Sequence, residues 1–138
     1  GLEATLTDNH ATQMATLILG NGNSGFQGRG VSPAATYSSV SFSNLLPEPY
    51  SYYRGANIAV QNHSYGVGIE NEYATDAAAY DLHMWTDTTV LHIFSAGNLG
   101  NRQATGGRYN GLTGWSNLSG SFKMSKNSLS IGATDSFY

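Results

Sequence analysis

The chain has 138 residues, no cysteine, and a formal net charge of −3 from six basic and nine acidic residues. Charged residues make up 11% of it, against about 25% in a typical soluble domain. This composition predicts one packed domain and excludes disulfides and thiolate zinc sites. It also argues against nucleic acid and membranes as partners, because there is no basic surface and no apolar stretch long enough to cross a bilayer. Low charge without cysteine is typical of a secreted bacterial protein.

The first element in chain order is a predicted helix over residues 8–19, where apolar side chains recur at helical spacing after Thr7 or Asp8 as N-cap. Residues 20–25 then read G-N-G-N-S-G, which formally matches the dinucleotide fingerprint G-x-G-x-x-G. That fingerprint must leave a strand and open a helix, whereas these glycines follow a predicted helix. We therefore interpret them as a helix C-cap and the start of a loop.

Three further segments complete the first part of the chain. Residues 21–33 carry four glycines and predict a tight surface loop. Side chains alternate over residues 34–42, which predicts a strand. Residues 50–56 follow two prolines and predict either a short helical turn or the end of a longer irregular connection.

The second half of the chain predicts a β-α-β unit. Strands predicted over residues 58–62 and 89–95, which contain the apolar run 58–60 and a nearly continuous apolar run, flank a helix predicted over residues 74–85. The two runs lack strict polar alternation, which is typical of parallel strands covered on both faces, and a right-handed crossover would join them. Residues 98–118 form a glycine-rich loop, and residues 129–133 predict a last strand. One apolar stripe runs along the predicted helix: Tyr73, Ala77, Tyr80 and Met84.

The four histidines do not have the spacing of a zinc site, because no pair lies at i, i+4 on a helix with a glutamate between. His83 lies on the predicted helix and His92 within a predicted strand, so we interpret both as packing or surface residues. His10 differs, because it starts a predicted helix among small residues. A ring held there and open to solvent suits a general base near neutral pH, the alternative being a capping or surface residue.

Two polar, glycine-containing segments follow the predicted strands of the β-α-β unit. Residues 62–66 read N-H-S-Y-G, and residues 94–98 read F-S-A-G-N. Ligands of open α/β sheets bind outside the carboxyl ends of the strands, so we expect both segments to line one cleft. The amide of Asn98 would be a donor where negative charge develops. The alternative for each segment is plain turn chemistry.

Taken in order, these motifs resemble those of the subtilisin-like serine proteases, the subtilases. Residues 8–15 are similar to the H-G-T-H-V-A segment that carries the catalytic histidine, and residues 28–35 to the G-V-A-P-x-A stretch. Residues 62–66 are similar to N-x-S-x-G, residues 95–98 to A-A-G-N, and residues 130–136 to the V-G-A strand that follows. The resemblance covers almost the whole chain.

The resemblance implies a three-layer, doubly wound, mostly parallel α/β sheet of the subtilisin type, present in part. It implies that His10 is the general base and that Asn98 donates to the oxyanion. A peptide or protein substrate would bind as an added strand. The residues implied to hold it lie on two sides: Ser64, Tyr65 and Gly66 on one, Ala96 and Gly97 on the other.

This sequence departs from the family pattern at several points. Ala11 stands where the family has glycine, and Gln13 where it has a second histidine. The family's aspartate strand before the histidine and its G-T-S-x-A nucleophile segment have no counterpart in the 138 residues. We therefore expect residues 1–138 to be a partial peptidase domain, inactive as an isolated chain.

Several expectations stay open at this level. A non-catalytic peptide-binding subtilase-like module is the alternative to an endopeptidase, and a carbohydrate-binding module is a more distant one. Calcium is common in the family, but the sequence has no contiguous calcium loop, so no cofactor or metal ligand is assigned. Exposed sheet edges would favour self-association, and the family implies a secreted or cell-surface bacterial protein.

Overall fold

The computed structural model describes residues 8–23, 25–41, 45–66, 72–99, 102–103, 110–111 and 121–134, and it divides into two compact units, residues 1–44 and 45–138. The first unit contains helix α1 (Asn9–Leu19) and a 3-10 turn (Phe26–Gly28). The second contains α2 (Tyr50–Gly55), β1 (Val60–His63), α3 (Thr75–Thr86), β2 (Leu91–Ser95), the 3-10 turn Ser121–Met124 and β3 (Leu129–Ile131). Among the described residues, no helix combines the length and the apolarity that a bilayer crossing needs.

Helix α1 is closed by backbone and capping contacts at both ends. The carboxylate of Asp8 accepts a hydrogen bond from the amide of Ala11 at 2.8 Å, which confirms Asp8 as the N-cap of the two predicted candidates. Three backbone amides of the following loop donate hydrogen bonds to carbonyls at the C-terminal end of the helix: Gly30 to Gly20 at 2.7 Å, Val31 to Leu17 at 3.2 Å and Ser32 to Ile18 at 2.8 Å. A Cβ on Gly30 would lie 2.6 Å from the Ile18 backbone, so this close crossing requires glycine.

The strand predicted over residues 34–42 is wrong for the residues that the structure describes there. Residues 34–41 form a turn followed by irregular backbone, and most of them are exposed, Tyr37 at 61%. Alternation specifies a strand only where one face is buried against a core, and these small polar side chains have no such face. Of the two alternatives for residues 50–56, α2 confirms the helical turn.

The second unit is built on a three-stranded parallel sheet in the order β1-β2-β3. Helix α3 connects β1 to β2, so the predicted β-α-β unit is confirmed, and β3 confirms the predicted last strand. Val60 pairs with Leu91 and His63 with Phe94, while Ile93 pairs with Leu129. The fold class is α/β, as predicted, and agrees with a subtilisin-like fragment.

The core of this unit lies between α3, β2 and the Ser121–Met124 turn. Its apolar centre is formed by two residues of α3, one of β2 and one of the turn: Tyr80, Met84, Phe94 and Phe122. The predicted helical stripe is buried at Ala77, Tyr80 and Met84 but not at Tyr73, which is 45% exposed. Burial of these rings stabilises α3 far more than intrinsic helix propensity does.

The two faces of the sheet differ in burial. On β2, His92 and Phe94 are buried beneath α3, whereas Leu91 and Ile93 are only partly buried. On the opposite face, the edge strands expose Val60 at 54%, Leu129 at 47% and Ile131 at 54%. The expectation that both faces of the β-α-β strands are covered therefore does not hold at Val60.

Candidate functional site

The two polar segments singled out in the sequence leave the sheet at the same edge. β1 ends at His63 and β2 at Ser95, and because His63 pairs with Phe94 in a parallel register, the ends are adjacent. Residues 64–66 and 96–98 therefore emerge side by side from the carboxyl ends of neighbouring strands, as expected for ligand-binding segments of an α/β sheet.

Each segment has a defined local geometry. The Asn62 amide donates to the Ser64 hydroxyl at 2.9 Å. The Ala96 amide donates to the Ile131 carbonyl at 2.8 Å, which fastens the second segment to β3. Gly97 has φ of +96°, in the left-handed region that favours glycine, and the following Asn98 is exposed. The arrangement places a polar side chain in solvent just past a tight backbone turn.

His10 lies in the other unit of the chain. It occupies the first turn of α1, two residues after the capping Asp8, and it is exposed. The remaining candidate residues all lie in the unit of residues 45–138. Of the predicted site residues, the structure thus brings together the two strand-end segments within one unit.

A buried lysine lies beneath the end of β2. Lys123 is 2% exposed, and its ammonium donates to the Ser95 hydroxyl at 3.4 Å. Its carbonyl accepts the Ser130 hydroxyl at 2.9 Å, which ties the Ser121–Met124 turn to β3. Desolvation lowers the pKa of the Lys123 ammonium from its ordinary value.

Three histidines form a hydrogen-bonded row that begins at His63, the last residue of β1. Nε2 of His63 lies 2.9 Å from Nδ1 of His92, and Nε2 of His92 lies 3.2 Å from Nδ1 of His83. At one end, Nδ1 of His63 lies 2.8 Å from the Tyr65 hydroxyl. At the other, the His83 ring stacks on Tyr50 at 4.8 Å, and its Nε2 is buried without a described partner. We call these three residues the histidine row.

The subtilase family model matches residues 3–136, nearly the whole sequence. The chain belongs to the subtilase family. No curated protein and no solved structure gives a significant match to it. Family membership makes this chain a serine-protease-like segment, and the substrate class of such proteases is peptides and proteins.

The histidine row of this subtilase is held neutral by its burial. His63, His92 and His83 are 1%, 0% and 5% exposed. Desolvation, reinforced by the neighbouring His92, lowers the pKa of His63 to about 3, and desolvation and His83 lower the pKa of His92 to about 4. The pKa of His83 is also lowered by desolvation, although Asp87 opposes this. Neutral imidazoles can each donate one proton and accept one, which is what a row requires.

Sequence reasoning interprets His83 and His92 as packing or surface residues and misses the row that they form. Both are packing residues, and the signal for it is present in the spacing. His83 follows Tyr80 by three positions on the buried stripe of α3, and His92 alternates with Phe94 on one face of β2. Only the register of β1 against β2 brings His63 beside His92, and a single sequence does not reveal that register.

The row is not a metal centre in the residues described. No group of three or more histidine, cysteine, aspartate or glutamate side chains converges there on a common point that could hold an ion. Five of its six ring nitrogens pair with one another or with the Tyr65 hydroxyl, which leaves only Nε2 of His83 without a described partner.

Proposed function

We propose that this chain carries the general base, the oxyanion donor and the peptide-binding edge of a secreted, bacterial, subtilisin-like serine endopeptidase. The observation that supports this most directly is the family match combined with the two motif segments at adjacent strand ends. The family match supports a serine-protease-like segment, and the adjacent strand ends support the peptide-binding edge within it.

Each proposed residue has a chemical task. His10 would take the proton of a serine hydroxyl and return it to the leaving amine, completing a Ser-His-Asp mechanism. Asn98 would donate its amide to the oxyanion of the tetrahedral intermediate, and one such donor contributes roughly 10²–10³ to the rate of a subtilisin. The exposure of both side chains is compatible with these tasks.

The peptide would bind along the sheet edge in extended form. Main-chain groups of residues 64–66 would pair with one side of it, and Ala96 and Gly97 with the other. Glycines at positions 66 and 97 allow the two backbones to approach closely. Backbone pairing of this kind gives affinity for extended peptides largely independent of their side chains.

The isolated chain is proposed to bind peptides without cleaving them, because its 138 residues contain no G-T-S-x-A nucleophile segment. The test uses a fluorogenic peptide library and a fluorophosphonate label on the purified chain, with a complete subtilase as positive control. We expect no hydrolysis and no labelled serine. Hydrolysis accompanied by labelling of one of the chain's own serines would overturn this part of the proposal.

A non-catalytic peptide-binding module is the second candidate, favoured by Ala11 and Gln13 in the histidine segment. The sequence of the parent gene on both sides of this segment discriminates the two. A D-T/S-G strand upstream and G-T-S-x-A downstream support the endopeptidase, and their absence supports the module. Detection of the parent protein in culture medium tests secretion.

Self-association is proposed through the exposed side of the sheet. β1 and β3 are edge strands in the described sheet, and they expose Val60, Leu129 and Ile131. Light scattering tests this: a mass above that of one chain is expected, and a monodisperse monomer at high concentration contradicts it.

A further inference from the structure

The histidine row ends on a residue of the proposed peptide-binding edge. The Tyr65 hydroxyl, 2.8 Å from Nδ1 of His63, belongs to residues 64–66. Of these three residues, Ser64 is partly buried, with its hydroxyl accepting from Asn62, and Gly66 is exposed. Tyr65 therefore carries the side-chain link that ties this segment to the core.

The direction of the hydrogen bonds along the row follows from its two ends. Because each neutral ring has one N–H, all three must donate in the same direction. At the Tyr65 end, the Tyr80 hydroxyl donates its single proton to the Leu45 carbonyl at 3.0 Å, so that proton does not occupy the Tyr65 oxygen. The Tyr65 oxygen can therefore accept the proton of His63 Nδ1.

The opposite end of the row gives the same direction. If the rings donated toward His83, its Nε2 would carry a buried N–H with no described acceptor. If they donate toward Tyr65, His83 Nε2 carries only a lone pair. Buried donors without partners are rarer than under-used acceptors. His83 therefore donates to His92, His92 to His63, and His63 to Tyr65.

We propose that His63 is a positioning residue for substrate binding: supported by His92 and His83, it holds the Tyr65 hydroxyl and thereby the backbone of residues 64–66. This inference rests on the proposed function of that segment as one side of the peptide-binding edge. The row acts through Tyr65 and does not itself contact the peptide. Holding the segment in place before binding removes part of the ordering cost that a mobile strand would incur.

Packing alone does not account for the link between His63 and Tyr65. The Tyr65 ring also contacts Phe122, with centroids 5.8 Å apart. A phenylalanine at position 65 could keep that apolar contact, but it would lose the hydroxyl that His63 and Tyr80 share. The hydroxyl is therefore the group to remove first.

Two isosteric replacements of His63 separate its two hydrogen bonds. In His63→Asn, the carboxamide stands near the position of Nδ1, so Tyr65 keeps its donor and His92 loses its partner. In His63→Gln, the carboxamide reaches the position of Nε2, so His92 keeps a partner and Tyr65 loses its donor. Tyr65→Phe removes the hydroxyl and leaves the row intact. Thermal melting of each variant reports global stability.

The experiment measures two quantities for the wild type and the three variants: amide hydrogen exchange at residues 64–66, and affinity for an extended polyalanine-based peptide. We expect His63→Gln and Tyr65→Phe to raise exchange and to weaken peptide binding by about five- to tenfold, the scale of one lost hydrogen bond. His63→Asn should keep both within about twofold, although it melts at a temperature at least as low as His63→Gln does.

The outcomes that overturn the positioning role are distinct from those that overturn the proposed function. If exchange and affinity follow melting temperature across all variants, or if Tyr65→Phe changes neither, His63 has no positioning role. If the wild type binds no peptide while exchange still separates His63→Gln from His63→Asn, His63 positions the segment, but the segment is not a peptide-binding edge. That result contradicts the proposed function and with it the role in substrate binding.

Discussion

Helices α1 and α3 have nearly the same length, 11 and 12 residues, yet they are stabilised in different ways. All residues of α1 are described, and none of them is buried. α3 buries four of its residues, two of which are aromatic or heteroaromatic rings in contact with β2. The comparison separates a helix held mainly by its ends from one held by its core.

The difference has a functional side. An isolated helix of this length is marginal in water, so α1 depends on the Asp8 cap and on the loop amides that return to its last turn. It carries His10, the proposed general base. α3 supports the sheet edge that carries the proposed peptide-binding segments. The proposed general base thus stands on a helix with no buried residue, and the proposed binding segments follow strands that pack against a helix with four buried residues.

The largest expected effect comes from removing a ring of the α3 core. Tyr80 is 1% exposed and belongs to the apolar cluster with Phe94 and Phe122. Tyr80→Ala should lower the free energy of unfolding by about 3–5 kcal/mol. Leu17→Ala on α1, at a position 63% exposed, is the control and should cost less than about 0.5 kcal/mol. Chemical denaturation measures both, and similar losses of unfolding free energy at the two sites would contradict the stated difference between α1 and α3.

Acid should destabilise the unit of residues 45–138 through the histidine row. The folded pKa values of His63 and His92 lie at about 3 and about 4, below the unfolded value near 6.5. Between these pH values the unfolded chain binds more protons than the folded chain. The free energy of unfolding is therefore highest above pH 6.5 and falls as the pH drops. Between pH 7 and pH 4, His63 alone should account for a loss on the order of 3 kcal/mol.

The groups that surround the histidine row do not reverse the direction of this pH dependence. Tyr53 from α2 and Tyr80 from α3 stay neutral, because burial raises the pKa of each phenol. Desolvation also lowers the pKa of Lys123, so this group contributes with the same sign as the histidines. The Thr89 hydroxyl and Arg54 lower the pKa of Asp87, so this carboxyl too contributes stability that is lost as the pH falls. Urea unfolding followed by aromatic circular dichroism at pH 7, 5.5 and 4 checks the prediction. A constant free energy of unfolding would contradict it, and His92→Phe should give a shallower dependence than the wild type.

The smallest effect is expected at the N-terminus of α1. Asp8→Ala removes the carboxylate that accepts the Ala11 amide and should destabilise the helix by about 1 kcal/mol. Asp8→Asn keeps a capping oxygen and serves as the control. Amide exchange within α1 is the measurement, because global unfolding will barely register the change. Equal exchange in Asp8→Ala and wild type would mean that α1 is held by something other than its cap.

Much of the fold is predictable from local patterns. The cap at Asp8, the glycines after α1, the β-α-β unit and the last strand all follow from spacing and turn chemistry that a few neighbouring residues determine. The strand predicted over residues 34–42 is wrong because its alternating small polar residues have no core to bury one face against. The exposure of Val60 and Ile131 is not predicted either, because an apolar run in the sequence does not show whether another element packs over it.

The site is predictable to a different extent. The positions of residues 64–66 and 96–98 at the sheet edge follow from strand order alone. The roles of His10 and Asn98 stay predictions. The histidine row could not be predicted, because it depends on the pairing of His63 with the strand of His92 and on the facing of α3, which are long-range contacts. The contact between Lys123 and Ser95 could not be predicted from the sequence for the same reason.

The central claim is that the edge formed by residues 64–66 and 96–97 receives a peptide as an added strand. Backbone amide chemical shifts of the isotope-labelled chain, recorded while an extended peptide is titrated in, test it most directly. We expect saturable shifts concentrated at Ser64, Tyr65, Gly66, Ala96 and Gly97, with amides of the α3 surface unchanged. Saturable shifts located elsewhere, or none at millimolar peptide, would contradict it.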